Sequence, residues 1–209
     1  MSYWDLLKKK SGQIHGDGSL GRWLAATASD PAVSTIVEIG AWEGNGSTRV
    51  LREATQGRLD VVSIVSLEAS LPRFIRAQRR NKRYPHIKLI WGTVVAPDDL
   101  DIQDLSGDES EWLRDDIVAL KKCPNVLHEL PQDFDLLLLD GGEFSTKAEF
   151  DLLSPRCTKW VILDDTKTRK CSLIAANIRS GSTPFVPVVD SDDRNGFMVA
   201  LRSRTAIGI

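Results

Sequence analysis

Cysteine is scarce and shows no pairing pattern: Cys123, Cys157 and Cys171 are the only three in 209 residues. An odd number at wide spacing, with no CxxC pair, excludes a disulfide framework and a cysteine-based zinc site. It fits a reducing, cytoplasmic setting. No apolar run approaches membrane-spanning length, and no signal-peptide pattern opens the chain. Neither sign of charge dominates, since 27 Lys and Arg face 29 Asp and Glu for a formal net charge of −2. A general pull toward nucleic acid or an anionic membrane is therefore not expected. Internal repeats and low-complexity tracts are absent too. What remains, 42% hydrophobic and 27% charged, is the composition of a soluble globule, long enough for a sheet covered on both faces.

Short β-rich runs alternate with helical patterns, which predicts an α/β fold with a mostly parallel sheet. The runs are STIVEIG (34–40), VVSIVSLE (61–68), IKLIWG (87–92), DFDLLLLD (133–140), KWVILDD (159–165), FVPVV (185–189) and FMVALR (197–202). Four consecutive leucines before Asp140 suit a strand buried on both faces. Helical spacing falls near 19–28, 46–56, 71–82, 110–122, 147–153 and 170–180. Thr146-Lys147-Ala148-Glu149 has the form of a capping box, which places a helix start just after Thr146. The acidic stretch 97–109 reads as a surface loop. Asn195-Gly196 between the last two runs predicts an antiparallel hairpin.

The first strand leads into Gly40-x-x-x-Gly44-x-Gly46, with the carboxylate of Glu38 ahead of the first glycine. A dinucleotide loop would read GxGxxG, with its acidic residue about twenty positions later. A pyrophosphate is poorly served by a carboxylate at the mouth of its loop, whereas a cationic ligand is well served. S-adenosylmethionine carries a sulfonium, an ammonium and a carboxylate, and no phosphate. Gly40 and Gly44 let the backbone approach such a ligand. Ser47 and Thr48, opening the next helix, can hold its carboxylate with help from the helix dipole. Glu68, at the end of the second strand, is placed to accept the two ribose hydroxyls.

On these residues the chain resembles the class I S-adenosylmethionine-dependent methyltransferases over roughly 33–202. "VEIGAWEGNGST" looks like their first motif and "SLEAS" like their second. The resemblance implies a Rossmann-like seven-stranded sheet with an antiparallel last strand and helices on both faces. It also implies a helical cap segment (1–32) ahead of a methyltransferase domain (33–209). The cofactor contacts it implies are Glu38, Gly40, Ala41, Trp42, Gly44, Ser47, Thr48, Glu68, Ala69, Gly92, Thr93 and Asp140.

Asp140 ends the fourth strand, and Asp164-Asp165 end the fifth. Carboxyl ends of adjacent strands share the crevice of the glycine loop, and three carboxylates gathered there repel one another unless protonated or neutralised by a cation. Magnesium, which prefers oxygen ligands, is the simplest such cation, with Asp140, Asp164 and Asp165 as its ligands. The set is similar to that of the divalent-metal-dependent O-methyltransferases of the macrocin O-methyltransferase branch. That resemblance implies transfer of a methyl group to a hydroxyl of a small molecule or glycan. Asp140 and Glu143 are the candidate catalytic residues, Glu143 as the base. An N-terminal helix over 3–9 offers a surface to a second copy of the chain.

Two other readings stand beside this one. The first is an RNA ribose 2′-O-methyltransferase, with Asp140 and Lys167 in two places of a Lys-Asp-Lys-Glu tetrad and Arg73 to Arg83 as a basic face. The second is a cofactor-binding protein without transferase activity. His15, His86 and His128 read as surface or core histidines, and Trp42 and Trp91 as residues that pack either the cofactor or the core.

Overall fold

The computed structural model describes residues 14–60, 62–100, 102 and 109–203. The predicted helix over 3–9 and the tail beyond 203 lie outside them. Helix α1 (Ser19–Ser29) precedes strand β1 (Thr35–Ile39), followed by α2 (Ser47–Thr55), β2 (Ser63–Glu68), α3 (Leu71–Asn81) and β3 (Ile87–Trp91). Helix α4 (Glu109–Lys122) leads to β4 (Phe134–Leu139), α5 (Thr146–Leu153), β5 (Cys157–Asp164), α6 (Arg169–Arg179) and the closing pair β6 (Phe185–Ser191) and β7 (Phe197–Arg202).

The seven strands lie in the order β3-β2-β1-β4-β5-β7-β6, and β7 runs antiparallel to both of its neighbours. All other strand pairs are parallel. Pro187 sits in β6 at the sheet edge, beside a register shift, where a missing N–H is tolerated. The hairpin turn carries left-handed backbone at Arg194 and Gly196, with Gly196 N–H donating to the Asp193 carbonyl at 2.9 Å.

Alternation along the strands sorts the apolar side chains onto two faces. Ile36, Leu136, Leu138 and Ile162 pack with α1 and α2 through Leu20, Leu24, Val50 and Leu51. Val37, Ile39, Leu137 and Leu139 pack on the other face with Leu120 of α4, Phe150 and Leu153 of α5, and Ile174 and Ile178 of α6. Leu136 to Leu139 are each 0% exposed, which is why this strand reads as an unbroken apolar run. No helix among the described residues is long and apolar enough to cross a membrane.

This order has one consequence for function. β1 is flanked by β2 and β4, so the chain leaves it in one direction and later returns on the other side. A crevice opens at such a switch point, beyond the carboxyl ends of the strands. Gly40, Glu68, Gly92, Asp140 and Asp165 all stand at those ends.

Candidate active site

The glycine loop is shaped by contacts that leave no room for larger residues. Gly40 has φ +92°, and a Cβ there would fall 2.0 Å from the Asp140 carbonyl oxygen. Its N–H and that of Ala41 both donate to the Leu67 carbonyl, at 3.0 and 2.9 Å. Gly44, at φ +70°, lies against Ala77 of α3, where a Cβ would come within 3.0 Å. Between the two glycines, Trp42 is left-handed as well (φ 51°), an uncommon state for a bulky residue. Its N–H is held by Glu68 Oε2 at 2.8 Å, and its ring lies 3.5 Å from the Arg73 guanidinium. Glu43 ties the loop to α3 through Arg76 (2.8 Å) and Arg80 (2.9 Å). Arg73, Arg76 and Arg80, three of the four basic residues on α3, are thereby spent on holding the loop.

A cavity of about 380 Å³ opens beyond this loop. Gly40, Ala41, Trp42, Ser47, Glu68, Ala69, Gly92, Thr93 and Asp140 of the expected cofactor set all line it. Glu38, Gly44 and Thr48 do not. Glu38 is fully buried beneath the loop, where Thr48 Oγ1 donates to its Oε2 at 2.7 Å. Burial holds the Glu38 carboxyl above the ordinary glutamate range, against the hydroxyls of Ser47, Ser66 and Thr48. Glu68 accepts from the backbone N–H groups of Trp42 and Ser70, each at 2.8 Å, and burial still pushes its pKa up to about 7. The Trp91 indole donates to the Ala69 carbonyl at 3.0 Å and so positions a wall of the cavity.

The three aspartates do converge: Asp140, Asp164 and Asp165 each present an oxygen within 4.8 Å of the others. Two of them share a residue that the sequence reading missed. Lys170 Nζ donates to Asp140 Oδ1 at 2.9 Å and to Asp165 Oδ2 at 2.7 Å. Lys170 is only 8% exposed. Burial disfavours its charge, but the two aspartates outweigh burial and raise its pKa. Asp165, left-handed at φ 57°, also accepts from Asn195 Nδ2 at 3.1 Å. Burial opposes its charge, and Lys170 more than compensates, so its pKa is lowered. Burial, with Asp140 and Asp165 close by, drives Asp164 up to about 7. Asp164 Oδ1 accepts the Asp165 N–H at 3.0 Å, and the Arg194 guanidinium stands 3.6 Å from Oδ2.

A divalent cation needs those inward oxygens for itself, at about 2.1 Å for magnesium. Lys170 takes one oxygen each of Asp140 and Asp165, which opposes such an ion, and Asp164 Oδ2 is left buried with no hydrogen-bond partner. The signal for Lys170 lay in helical spacing: Lys170, Cys171, Ile174, Ala175 and Ile178 form one buried face of α6. A lysine in the first turn also opposes the helix dipole, which marks a specific partner.

Glu143 does not line the cavity. Its Oε1 accepts the backbone N–H of Lys170 at 3.1 Å and so caps α6. The expected capping box at Thr146 is absent. Ser145 takes the cap position, and the Thr146 hydroxyl instead donates to the Gly142 carbonyl at 2.7 Å. Two further carboxylates line the cavity and were not anticipated, Asp116 of α4 and Glu149 of α5. Asp116 Oδ2 accepts the Phe144 N–H at 3.1 Å. Glu149 is buried with its Oε2 unpartnered, and burial pushes it to about 7. Lys167 points away to Asp192 at 2.8 Å. His86 and His128 lie away from the cavity, and His15 borders a smaller hollow beside Asp164.

The strand order, the glycine loop after β1 and the acidic strand ends together define the class I methyltransferase fold. Solved structures with this fold superpose on most of the chain. An O-methyltransferase from Bacillus cereus in complex with S-adenosylhomocysteine aligns at TM-score 0.61 and 14% identity, over 96% of this chain and 88% of that one. An S-adenosylhomocysteine-bound methyltransferase from Podospora anserina gives 0.60 and 16%, over 96% and 86%. A methyltransferase from Geobacter sulfurreducens gives 0.60 and 13%, over 95% and 86%. At such identities the likeness establishes the fold. No family model matches the sequence, and no curated protein matches it.

Proposed function

We propose that the protein is an S-adenosylmethionine-dependent O-methyltransferase acting on a hydroxyl of a small molecule or sugar. The observation that carries this reading is the lining of the switch-point cavity. Its loop is held open by Gly40, and its charged groups are mostly carboxylates: Glu68, Asp116, Asp140, Glu149 and Asp165, against Arg73 and Lys170. Such a lining suits a cationic, phosphate-free ligand, and about 380 Å³ lies within the range of roughly 300–1,000 Å³ typical of small-molecule sites. The SAH-bound structures of the same fold support it.

Glu68 would take the ribose hydroxyls, because a carboxylate has about four acceptor sites and only two are occupied here by backbone N–H groups. Ser47, at the start of α2, faces the cavity where a carboxylate gains from the helix dipole. Gly92, Thr93 and Val94 with Leu120 offer a wall for the adenine. When bound, the cofactor supplies a methyl group on a sulfonium, and transfer leaves a neutral thioether, so the acceptor's proton must pass to the protein. Asp140 lines the cavity with Oδ1 engaged by Lys170, and its other oxygen is the candidate to receive that proton. No step is assigned to the magnesium expected at the aspartates, because Lys170 already bonds two of them.

Titration calorimetry with S-adenosylhomocysteine tests the cavity directly. Micromolar binding is expected, and no binding at millimolar ligand would end the proposal. The Lys170–Asp140 contact also suits a ribose hydroxyl of RNA as acceptor. Tight RNA binding with a steep salt dependence would bring that reading forward.

A further inference from the structure

We propose that Lys170 is the built-in cation of this site. It bridges Asp140 and Asp165, two of the three carboxylates that a divalent ion would bind, and it presents its remaining N–H to the acceptor oxygen. The inference deepens the methyltransferase reading and rests on it for the word acceptor. The occupation of the acidic cluster by an ammonium stands without it.

An ammonium has three donors. Two are used at 2.9 Å on Asp140 and 2.7 Å on Asp165, and Lys170 lines the cavity into which the third can be directed. The side chain has little freedom to leave. Its backbone N–H is pinned by Glu143 at 3.1 Å, and the neighbouring Cys171 is 0% exposed beneath it. Withdrawing the ammonium would strand two carboxylates in a largely buried place, a costly arrangement. A magnesium ion would have to share Asp140 and Asp165 with it, and the two cations would repel each other. Asp164 takes the Asp165 N–H on Oδ1 at 3.0 Å, while its buried Oδ2 has no hydrogen-bond partner and faces the Arg194 guanidinium at 3.6 Å.

An ammonium and a dication both draw electron density from an acceptor hydroxyl, but they differ in reach and removal. A lysine is a compact point charge that no chelator extracts. The protein should therefore need no added metal to hold its acidic cluster together.

Manganese(II) alone is the probe, with electron paramagnetic resonance on the full chain as the readout. Wild type is expected to bind no Mn²⁺ at millimolar concentration, and its affinity for S-adenosylhomocysteine is expected to be unchanged by a chelator. Lys170→Met removes the internal cation and is expected to gain a Mn²⁺ site at least about tenfold tighter than any in wild type. Adding Asp165→Asn should abolish the gained site. Wild-type Mn²⁺ binding that is lost in Asp164→Asn or Asp165→Asn would overturn the proposal, as would a folded Lys170→Met variant that binds none. Should Lys170→Met fold poorly, the wild-type measurement still decides. S-adenosylhomocysteine titration of wild type reports separately on the cavity, so failure of the methyltransferase reading is told apart from failure of this one.

Discussion

Gly40 is the residue on which the site is most sensitive to a single atom. A methyl group there meets the Asp140 carbonyl at 2.0 Å and must also sustain φ +92°. Gly40→Ala is therefore expected to destabilise the protein by about 1–3 kcal/mol, seen as a lower urea midpoint, and to abolish S-adenosylhomocysteine binding by calorimetry. Glu68 works differently, since its two oxygens already organise the loop through Trp42 and Ser70. Glu68→Gln keeps the shape but loses charge and one acceptor. We expect about tenfold weaker S-adenosylhomocysteine binding, equivalent to about 1.4 kcal/mol, measured by the same titration. Glu38 shows the limit of reading single residues. Its place before the glycines suggested the ligand, yet it lies beneath the loop, bonded to Thr48. Side chains alternate along a strand, so one position separates Ile39, which lines the cavity, from Glu38, which does not.

Among the elements, α6 carries the most chemistry, because its first turn delivers Lys170 and its cap is Glu143. Glu143→Ala removes that cap and is expected to cost about 0.5–2 kcal/mol of stability in urea denaturation. S-adenosylhomocysteine affinity should stay at the wild-type level, because Glu143 stands outside the cavity wall. A large loss of affinity would instead give Glu143 a direct part in binding. Elements themselves were legible from composition and period. The runs of branched and aromatic residues lie within a residue or two of the observed strands, and the Asn195-Gly196 hairpin forms as expected. The capping box does not form because Thr146 turned its hydroxyl to Gly142, and the cap position falls one residue earlier at Ser145. Serine and threonine offer several local bonds of similar strength, and packing selects among them.

At the scale of the whole molecule, buried acids set the response to pH. Glu68, Glu149 and Asp164 are each pushed to about 7 by burial, above their unfolded values. A raised acid stabilises the fold fully below its unfolded pKa, and that contribution is lost as pH climbs through the folded value. Asp135, lowered to about 2, and Asp165, also lowered, change nothing in that window, because both are ionised in either state above about 5. Burial lowers the His86 pKa, which acts in the opposite sense in this window, but the three raised acids outnumber it. The urea midpoint should therefore be higher near pH 5.5 than near pH 8, and a rising profile would contradict the burial of these acids. The succession of strands and helices along the chain, the closing hairpin and the position of the glycine loop were determined by the sequence alone, because periodicity and turn chemistry are local. The convergence of Asp116, Glu149 and Lys170 on Asp140 was decided only by tertiary structure. Those residues come from three helices, and only the packing of α4, α5 and α6 against one face of the sheet brings their charges within reach of one another. The same packing seats an ammonium among the aspartates, because a buried cluster of like charges requires a counter-charge and the nearest buried face carried a lysine.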